Sequence, residues 1–227
     1  MKYLILPLLL FICSCSMMQE AVKLEIIQKS YETEYSEVNA QLLQFKDESA
    51  EKVNKRLADE LDSTLVGFDT EAAENKEVLN LGNRSIFQST QTPKYNKNDF
   101  VSVLEEQYTY TGGAHGLTLR RGRNFDTLTW EEVPLEGLFE EEGWKEALNN
   151  YMQKLVEENP EEYGELWERP EIRDEQDYYI TDTDLVIFYQ PYVLSYYARG
   201  FVEFPIRLTE IRGYLKEDYY RLVSENY

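Results

Sequence analysis

Cysteine and histidine are almost missing from this chain. Its 227 residues hold two cysteines, Cys13 and Cys15, and one histidine, His115. Both cysteines fall within the first fifteen residues, so the rest of the chain has no disulfide and no thiol nucleophile. Zinc hydrolases draw on several histidine or cysteine ligands, which this sequence does not offer. We therefore expect no catalytic residues, no metal and no cofactor.

Basic residues are scarce as well. The chain has 23 lysines and arginines against 43 acidic residues, which gives a formal net charge of −20 at pH 7. Nucleic acid is an unsuitable partner, because its recognition depends on Lys and Arg contacts to phosphate. A negative surface accelerates encounter with a cationic protein, but it also serves simply to keep a protein soluble. Both interpretations stay open at this stage.

The N-terminus lacks a hydrophobic run long enough to cross a membrane. Lys2 precedes an apolar stretch from Leu4 to Ile12, which is shorter than the roughly 20 residues that a spanning helix needs. The stretch leads into Cys13-Ser14-Cys15, the pattern of a bacterial lipoprotein signal. We predict a signal peptide at residues 1–14, lipidation of Cys15 and a tether at 15–22. The expected location is the bacterial cell envelope, outside the cytoplasm.

Hydrophobic periodicity in the first half of the chain changes from that of a sheet to that of a helix. Residues 23–45 show alternating polar and apolar positions, which is typical of half-buried strands. Residues 48–65 carry an apolar stripe at every fourth position and predict an amphipathic helix. The acidic residues 69–77 are expected to form a loop or a helix end. Residues 88–98 contain Gln-Thr-Pro-Lys and predict a turn that joins two strands.

The second half of the chain also alternates between predicted strands and a predicted helix. Strands are predicted within residues 100–126, with Gly112-Gly113 between them, and an amphipathic helix is predicted at 141–158. A strand at 185–189, a tyrosine-rich loop at 190–200 and a strand at 201–208 follow. The sequence predicts an α+β fold, with two amphipathic helices packed on mainly antiparallel sheets.

Three separated motifs carry a resemblance to a known family. They are YTGGAHG at residues 110–116, NFDTLTWEEVPLEGLF at 124–139 and YYITDTDLVIFYQPYVLSYYARG at 178–200. Together they resemble domain of unknown function 3298. That family includes the extracellular sensor part of the lysozyme-responsive anti-sigma factor RsiV and the non-catalytic region of a peptidoglycan deacetylase. The similarity covers roughly residues 92–215.

Residues 23–89 are similar, less specifically, to domain of unknown function 4163, the usual N-terminal companion of that family. We accordingly predict a companion α+β region at 23–90 and an RsiV-like domain at 91–227. The resemblance implies a non-catalytic binding or sensing module. Its partner would be a cationic protein such as lysozyme, or a cell-wall glycan. The alternative is a peptidoglycan hydrolase or deacetylase, or an accessory to one, although in the deacetylase relatives the chemistry resides in a separate domain.

The candidate ligand-binding residues come from two of these motifs. They share aromatic character, a glycine turn or a rigid proline: Tyr110, Gly112, Gly113, His115, Gln190, Pro191, Tyr192, Tyr196 and Tyr197. Tyrosine offers a large, rigid contact area and is enriched at recognition surfaces, and proline stiffens the backbone around it. Each feature also has a structural interpretation. The tyrosines would fill the core, the glycines would reverse the chain between strands, and His115 would bind backbone groups rather than a ligand or a reacting proton.

The lipoprotein signal generates a prediction about membrane attachment. Cys15→Ala removes the thiol that would carry the lipid, and stable anchoring needs two or more acyl chains. We expect this variant to stay unprocessed or to leave the membrane fraction, as followed by gel mobility and by fractionation of cell extracts. Normal processing together with unchanged fractionation of the variant would refute lipidation at Cys15.

Overall fold

The computed structural model describes residues 21–79, 84–140 and 142–223. The predicted signal peptide at 1–14 and the predicted lipidation site Cys15 lie outside these residues. The predicted α+β fold is confirmed, with two mostly antiparallel sheets and helices packed on them.

The larger sheet has six strands in the order β1-β2-β3-β4-β5-β6. All neighbours are antiparallel except β2 and β3, which are parallel over four residue pairs. In chain order the strands are Leu24–Glu32, Ser36–Phe45, Ser85–Lys97, Phe100–Tyr110, Leu117–Asp126 and Glu131–Glu132. Strand β3 runs across residue 90, where the sequence predicted that one region ends and the next begins.

A long helix, α1 (Glu51–Leu79), covers one face of this sheet. A 3-10 turn at Glu48–Ala50 precedes it, and the carboxylate of Asp47 accepts a hydrogen bond from the Ser49 N–H there. The buried side of the helix follows helical spacing and packs on strands β2 to β5; it comprises Val53, Leu57, Leu65, Phe68 and Ala72. The predicted helix at 48–65 is therefore confirmed and extended.

Residues 69–77 belong to α1, so the predicted loop there is wrong and the alternative of a helix end is correct. Phe68 and Ala72 are buried, and their apolar contacts stabilise this part of the helix. The acidic composition of the segment gave no sign of these contacts. Asp69 accepts hydrogen bonds from the hydroxyls of Tyr31 (2.7 Å) and Ser36 (2.5 Å) on the sheet. Burial and the bond to Asp69 raise the pKa of Tyr31 to about 12.

The prediction of a turn within residues 88–98 is wrong for most of that segment. Gln91 to Lys94 lie inside β3, and Pro93 sits where the register with β4 shifts, an irregularity that tolerates a residue without an N–H. The chain reverses direction in a two-residue turn at Asn98 and Asp99, whose φ angles are 51° and 55°. Both angles are positive, as a two-residue hairpin turn of this hand requires.

A second sheet, of three antiparallel strands, packs on the opposite face of the larger sheet from α1. Its strands are β7 (Tyr178–Ile180), β8 (Asp184–Tyr189) and β9 (Val202–Arg207). Along β8, Val186 and Phe188 contact Leu104 of the larger sheet. The alternate residues Leu185 and Ile187 point the other way, into the main hydrophobic core.

The outer side of that core is closed by α2 (Trp144–Glu158), with the one-turn helices α3 (Pro160–Tyr163) and α4 (Leu208–Ile211) beside it. Leu148 and Met152 of α2 are fully buried against the second sheet. The layers are therefore α1, the six-stranded sheet, the three-stranded sheet and α2. This arrangement accommodates strands that are apolar on both faces, such as β8.

Polar side chains join the two sheets in the buried layer between them. The Ser102 hydroxyl donates to the Asn124 side-chain carbonyl (2.6 Å) and accepts from the Ile180 N–H (2.8 Å). The Asn124 amide donates to the carbonyl of Tyr178 (2.9 Å). Each of these buried polar groups has a partner, so the hydrogen bonds that fix the relative position of the sheets also offset the cost of removing these groups from water.

The backbones of the two sheets lie close together at Gly122. A Cβ at this position would lie 1.7 Å from the carbonyl oxygen of Tyr178. Gly122→Ala must therefore push β5 away from β7, and we expect the free energy of unfolding to fall by about 3 kcal/mol. Urea denaturation of the full chain measures this loss.

Gly67 provides the control for that substitution. It lies in α1, and no atom comes within 4 Å of the place that a Cβ would occupy. Gly67→Ala should therefore stabilise the protein by up to about 1 kcal/mol through helix propensity. A Gly122→Ala variant as stable as the parent chain would contradict the close approach of the two sheets.

Candidate functional site: the tyrosine surface

Two segments that are far apart in sequence meet at one end of the sheets. Residues 111–116 join β4 to β5, and residues 190–201 join β8 to β9. Gln190 links the second segment to β5: its side-chain amide donates to the carbonyl of Arg120 (2.6 Å) and accepts from the Arg120 N–H (3.0 Å). The amide of Gln190 thus satisfies both backbone groups of one β5 residue, as a neighbouring strand would.

Other groups continue this edge beyond Gln190. Strand β6 pairs only with Phe125 and Asp126, so the preceding part of β5 has no strand on its outer side among the described residues. The Asp177 carboxylate accepts from the Gly122 N–H (3.1 Å), and the Val133 N–H donates to the carbonyl of Asn124 (2.7 Å). The outer edge of β5 is therefore sealed by side chains and loops, and the 190–201 segment is fixed to it.

An aromatic stack forms where the two segments meet. The ring of Tyr197 lies between His115 and Tyr192, with centroid distances of 4.6 Å and 5.4 Å and interplanar angles of 17° and 26°. The Tyr197 hydroxyl donates to the carbonyl of Gly116 (2.9 Å), and His115 Nδ1 lies 2.9 Å from the same oxygen. Because a carbonyl only accepts, His115 must carry its proton on Nδ1. The Nε2 atom of neutral His115 then keeps its lone pair.

The outer rings of this site are open to solvent. Tyr192 is 54% exposed and Tyr196 is 45% exposed, whereas Tyr197 is half-buried. We call His115, Tyr192, Tyr196 and Tyr197 the tyrosine surface. The Tyr196 hydroxyl donates to the carboxylate of Glu165, and this bond raises the pKa of Tyr196. Tyr192 has a φ of 69°, a strained value for a tyrosine that the surrounding contacts hold in place.

The remaining predicted residues shape the loops. Gly112 and Gly113 have φ angles of 111° and 99° and reverse the chain after β4, as the structural interpretation of this pair predicts. Tyr110 folds back so that its hydroxyl donates to the carbonyl of Gly113 (3.0 Å). Pro191 is buried directly before Tyr192, whereas Gly113 is exposed. The assignment of ligand contact to any of these residues stays a prediction.

Arg120 is a supporting residue that sequence reasoning missed. Its guanidinium bonds Glu106 (3.0 Å) and Glu203 (2.6 Å) and lies 4.0 Å from the ring centroid of Phe201. It thereby holds β4, β5 and β9 together beneath the tyrosine surface. The alternation of β5 could have placed Arg120 on the face towards the second sheet, but no local pattern announces Asp177 or Glu165 as partners of the loop.

A second concave region lies between α1 and the outer part of β5. It has a volume of about 1240 Å³ and a lining of both signs of charge. Within it, Arg123 bonds Glu60 (2.7 Å) and Glu105 (2.8 Å) and lies 3.5 Å from Glu132. Burial opposes ionisation of Glu60, but the bonds from Arg123 and Arg56 outweigh it and lower the pKa of Glu60. Here the charges are paired with one another and tie α1 to β5.

Two family models match separate parts of the chain. Residues 29–118 match a model described as Deacetylase PdaC, and residues 136–209 match Protein of unknown function (DUF3298). A PdaC-like domain and a DUF3298 domain are thus present. The first match runs from within β1 to the beginning of β5, and the second runs from the turn before α2 through the tyrosine-rich loop at 190–200 into α4. No curated protein matches the chain.

Solved structures of DUF3298 family proteins are similar to this fold. A member of the DUF3298 family from Bacteroides fragilis is 14% identical and superposes with a TM-score of 0.69, covering 92% of this chain and 100% of that one. A DUF3298 family protein from Pseudomonas aeruginosa is 18% identical with a TM-score of 0.61, covering 88% and 96%. At such identities the likeness establishes the fold alone.

The described ranges, 21–79, 84–140 and 142–223, hold neither a spanning helix nor a metal cluster. No helix there is both long enough and apolar enough to cross a membrane. No three His, Cys, Asp or Glu side chains in those ranges come together as a possible metal site.

Asp177 provides a pH-dependent prediction about the sealed edge. Burial raises the pKa of its carboxyl, and the hydrogen bonds from Gly122 and Gln190 offset this only in part. The folded protein therefore holds this proton more tightly than the unfolded chain does. The charged carboxylate costs stability above its folded pKa, and this cost is absent below its unfolded pKa.

Asp177→Asn keeps an oxygen that can accept from Gly122 and removes the charge. We expect the free energy of unfolding of this variant, minus that of the parent chain, to be larger at pH 7 than at pH 3, because only at pH 7 does the substitution remove a destabilising charge. Urea denaturation at both pH values measures this double difference. An equal difference at the two pH values would show that Asp177 is not held with a raised pKa.

Proposed function

We propose that this protein is a lipid-anchored binding module of the bacterial cell envelope that captures a cationic, lysozyme-like protein on its tyrosine surface without catalysing a reaction. The observation that carries the proposal is the stack of His115, Tyr197 and Tyr192, which two separate motifs assemble in an exposed position.

The rigidity of this surface favours recognition. Binding costs free energy whenever side chains or loops must be ordered, so a surface fixed in advance binds more tightly for the same contacts. Here Gln190 fixes the loop to β5, and the Tyr197 hydroxyl fixes the central ring to the carbonyl of Gly116. Tyr192 and Tyr196 then present rigid, amphipathic rings to a partner, the residue type that dominates binding hot spots.

The negative charge of the chain supports a partner of positive charge. A formal charge of −20 attracts a cationic protein over a range set by the ionic strength, about 8 Å at physiological salt. Such attraction mainly increases the association rate, whereas close contacts at the interface determine the dissociation rate. The two terms can therefore be separated by experiment.

The proposed location in the cell envelope is supported by the sequence around Cys15. It is also supported by the DUF3298 and PdaC-like domains, which suggest an envelope-related role. A lipid on Cys15 would place the binding surface close to a membrane and outside the cytoplasm.

The bonding of His115 supports a binding role over a catalytic one. Its Nδ1 bonds a backbone carbonyl and its ring stacks on Tyr197, and among the described residues no nucleophile or carboxylate bonds it. A catalytic triad places the histidine between a nucleophile and a carboxylate. The second candidate is peptidoglycan deacetylation, favoured by the description of the model that matches residues 29–118. Acetate release from peptidoglycan by the purified chain, lost in His115→Ala, would support that candidate and overturn ours.

The proposed function predicts different effects of mutation and of salt. With the detergent-solubilised chain immobilised and a c-type lysozyme as the probe, Tyr192→Ala and Tyr196→Ala should speed dissociation, by about thirtyfold for a hot spot that contributes about 2 kcal/mol. Added salt should mainly slow association. Biolayer interferometry measures both rates.

Tyr220→Ala is the matched control, because Tyr220 is an exposed tyrosine (37%) outside the tyrosine surface. Cytochrome c, a cationic protein of another fold, controls for attraction by charge alone. Thermal unfolding must show that each variant stays folded. Folded variants with unchanged dissociation, equal binding of cytochrome c, or binding to insoluble peptidoglycan in place of lysozyme would each overturn the proposed partner or its site.

A further inference from the structure

The two edges of the six-stranded sheet are treated differently. The outer edge of β5 is sealed by Gln190, Asp177 and Val133. The opposite edge is β1, nine residues long, which pairs with β2 on its inner side. No described strand pairs with β1 on its outer side.

The register of β1 shows which backbone groups face outward. Lys46 N–H donates to the carbonyl of Lys23, and Thr33 N–H donates to the carbonyl of Ser36. Both pairs fit the β1–β2 register, so the odd-numbered residues of β1 bond to β2. The even-numbered residues therefore direct their N–H and C=O groups outward; they are Leu24, Ile26, Gln28, Ser30 and Glu32.

The charged side chains that could prevent another strand from pairing with β1 form ion pairs within their own chain. Open edges are commonly protected by lysine or another charge. Here Lys29 pairs with Asp62 of α1, and Glu25 pairs with Lys46, the residue after β2. Between them, Ile26 and Ile27 are 38% and 37% exposed. The middle of the edge is therefore apolar and carries unpaired backbone groups, which suits addition of another strand.

We propose that β1 pairs antiparallel with β1 of a second copy of this chain, which joins the two larger sheets into one. The favoured register places Ile27 opposite Ile27 of the second copy. Glu25 then lies opposite Lys29 of the second copy, and symmetry repeats this opposite-charge pair, which adds to the pairs that Glu25 and Lys29 form within their own chain. Such cross-strand pairs stabilise a sheet.

Neighbouring registers lack this complementarity. The two copies of β1 can slide past each other and still pair their outward N–H and C=O groups, if the residue on the twofold axis changes by one position at each step. Centred on Gln28, the arrangement sets Glu25 opposite Tyr31 and forms no charge pair. Centred on Lys29, it sets the two lysines directly opposite each other, which is destabilising.

This interface is independent of the proposed function. Strand β1 lies at the edge of the sheet opposite β5 and β6, beside which the tyrosine surface lies. Since each copy carries a formal charge of −20, the copies repel each other and added salt should strengthen their association. Salt should have the reverse effect on the proposed capture of a cationic protein, so the two proposals can fail separately.

Cysteine crosslinking tests the register. In Ile27→Cys the two new thiols lie opposite each other at a pair without backbone hydrogen bonds, close enough for a disulfide. Ser30→Cys is the matched control on the same strand: Ser30 would face Leu24, so its two copies lie about 20 Å apart. We expect oxidation of the detergent-solubilised protein to give covalent dimer with Ile27→Cys only, above the background of the parent protein oxidised in the same way. Equal crosslinking of both variants, or of neither, would overturn the register.

A pair of adjacent proline substitutions tests the edge itself. Ile26→Pro removes an N–H that points outward, so the monomer should stay folded while dimerisation weakens roughly tenfold or more through two lost hydrogen bonds per dimer. Ile27→Pro removes an N–H that bonds to β2 and should lower the melting temperature instead. Sedimentation velocity of the full chain in detergent measures the oligomeric state. The proposal would be refuted by a parent chain that stays monomeric at all salt concentrations, or by an Ile26→Pro variant that dimerises as the parent does. If β1 pairs only with a strand of another protein, the parent chain will stay monomeric.

Discussion

The close approach of the two sheets at Gly122 is the constraint on which the rest of the structure depends. With no side chain at this position, the carbonyl of Tyr178 comes within the space that a Cβ would occupy. That contact brings Asn124 to the same carbonyl and Asp177 to the Gly122 N–H. It also brings Gln190 to the backbone of Arg120. The second sheet thus docks on the first through hydrogen bonds to β5 and to Ser102 of β4, in addition to the apolar contact of β8 with Leu104.

The tyrosine surface follows from this docking. Gln190 is the first residue after β8, so a second sheet fixed against β5 also fixes the beginning of the tyrosine loop. The stack of His115, Tyr197 and Tyr192 then closes across the two segments. A surface built in this way loses little conformational entropy on binding, because its backbone is already held at two points. It would lose its shape if the sheets separated, which links the stability of the fold to recognition.

The two edges of the larger sheet show how one chain manages unpaired backbone groups in different ways. Side chains and loops cover β5, where an added strand would displace the tyrosine loop. On β1 the potential guards, Lys29 and Glu25, are bound by neighbouring side chains, and the strand remains open. Since an open edge that is long and partly apolar tends to find a partner, the difference points to separate uses of the two sides of the sheet.

The sequence by itself determined the fold class, most of the helices and strands, and the two motifs that build the tyrosine surface, because these depend on local periodicity and on glycine and proline chemistry. It was wrong where local composition opposed tertiary contacts. The acidic residues 69–77 are helical because Phe68 and Ala72 are buried and Asp69 accepts bonds from the sheet, and Pro93 lies in a strand because an irregular register accommodates it. Only the tertiary structure decided that Tyr192 and Tyr196 are exposed while Tyr197 is half-buried, and that Arg120 and Asp177 support the loop. Those outcomes depend on which strand edges meet, and strand pairing between residues so distant in sequence leaves no local pattern to read.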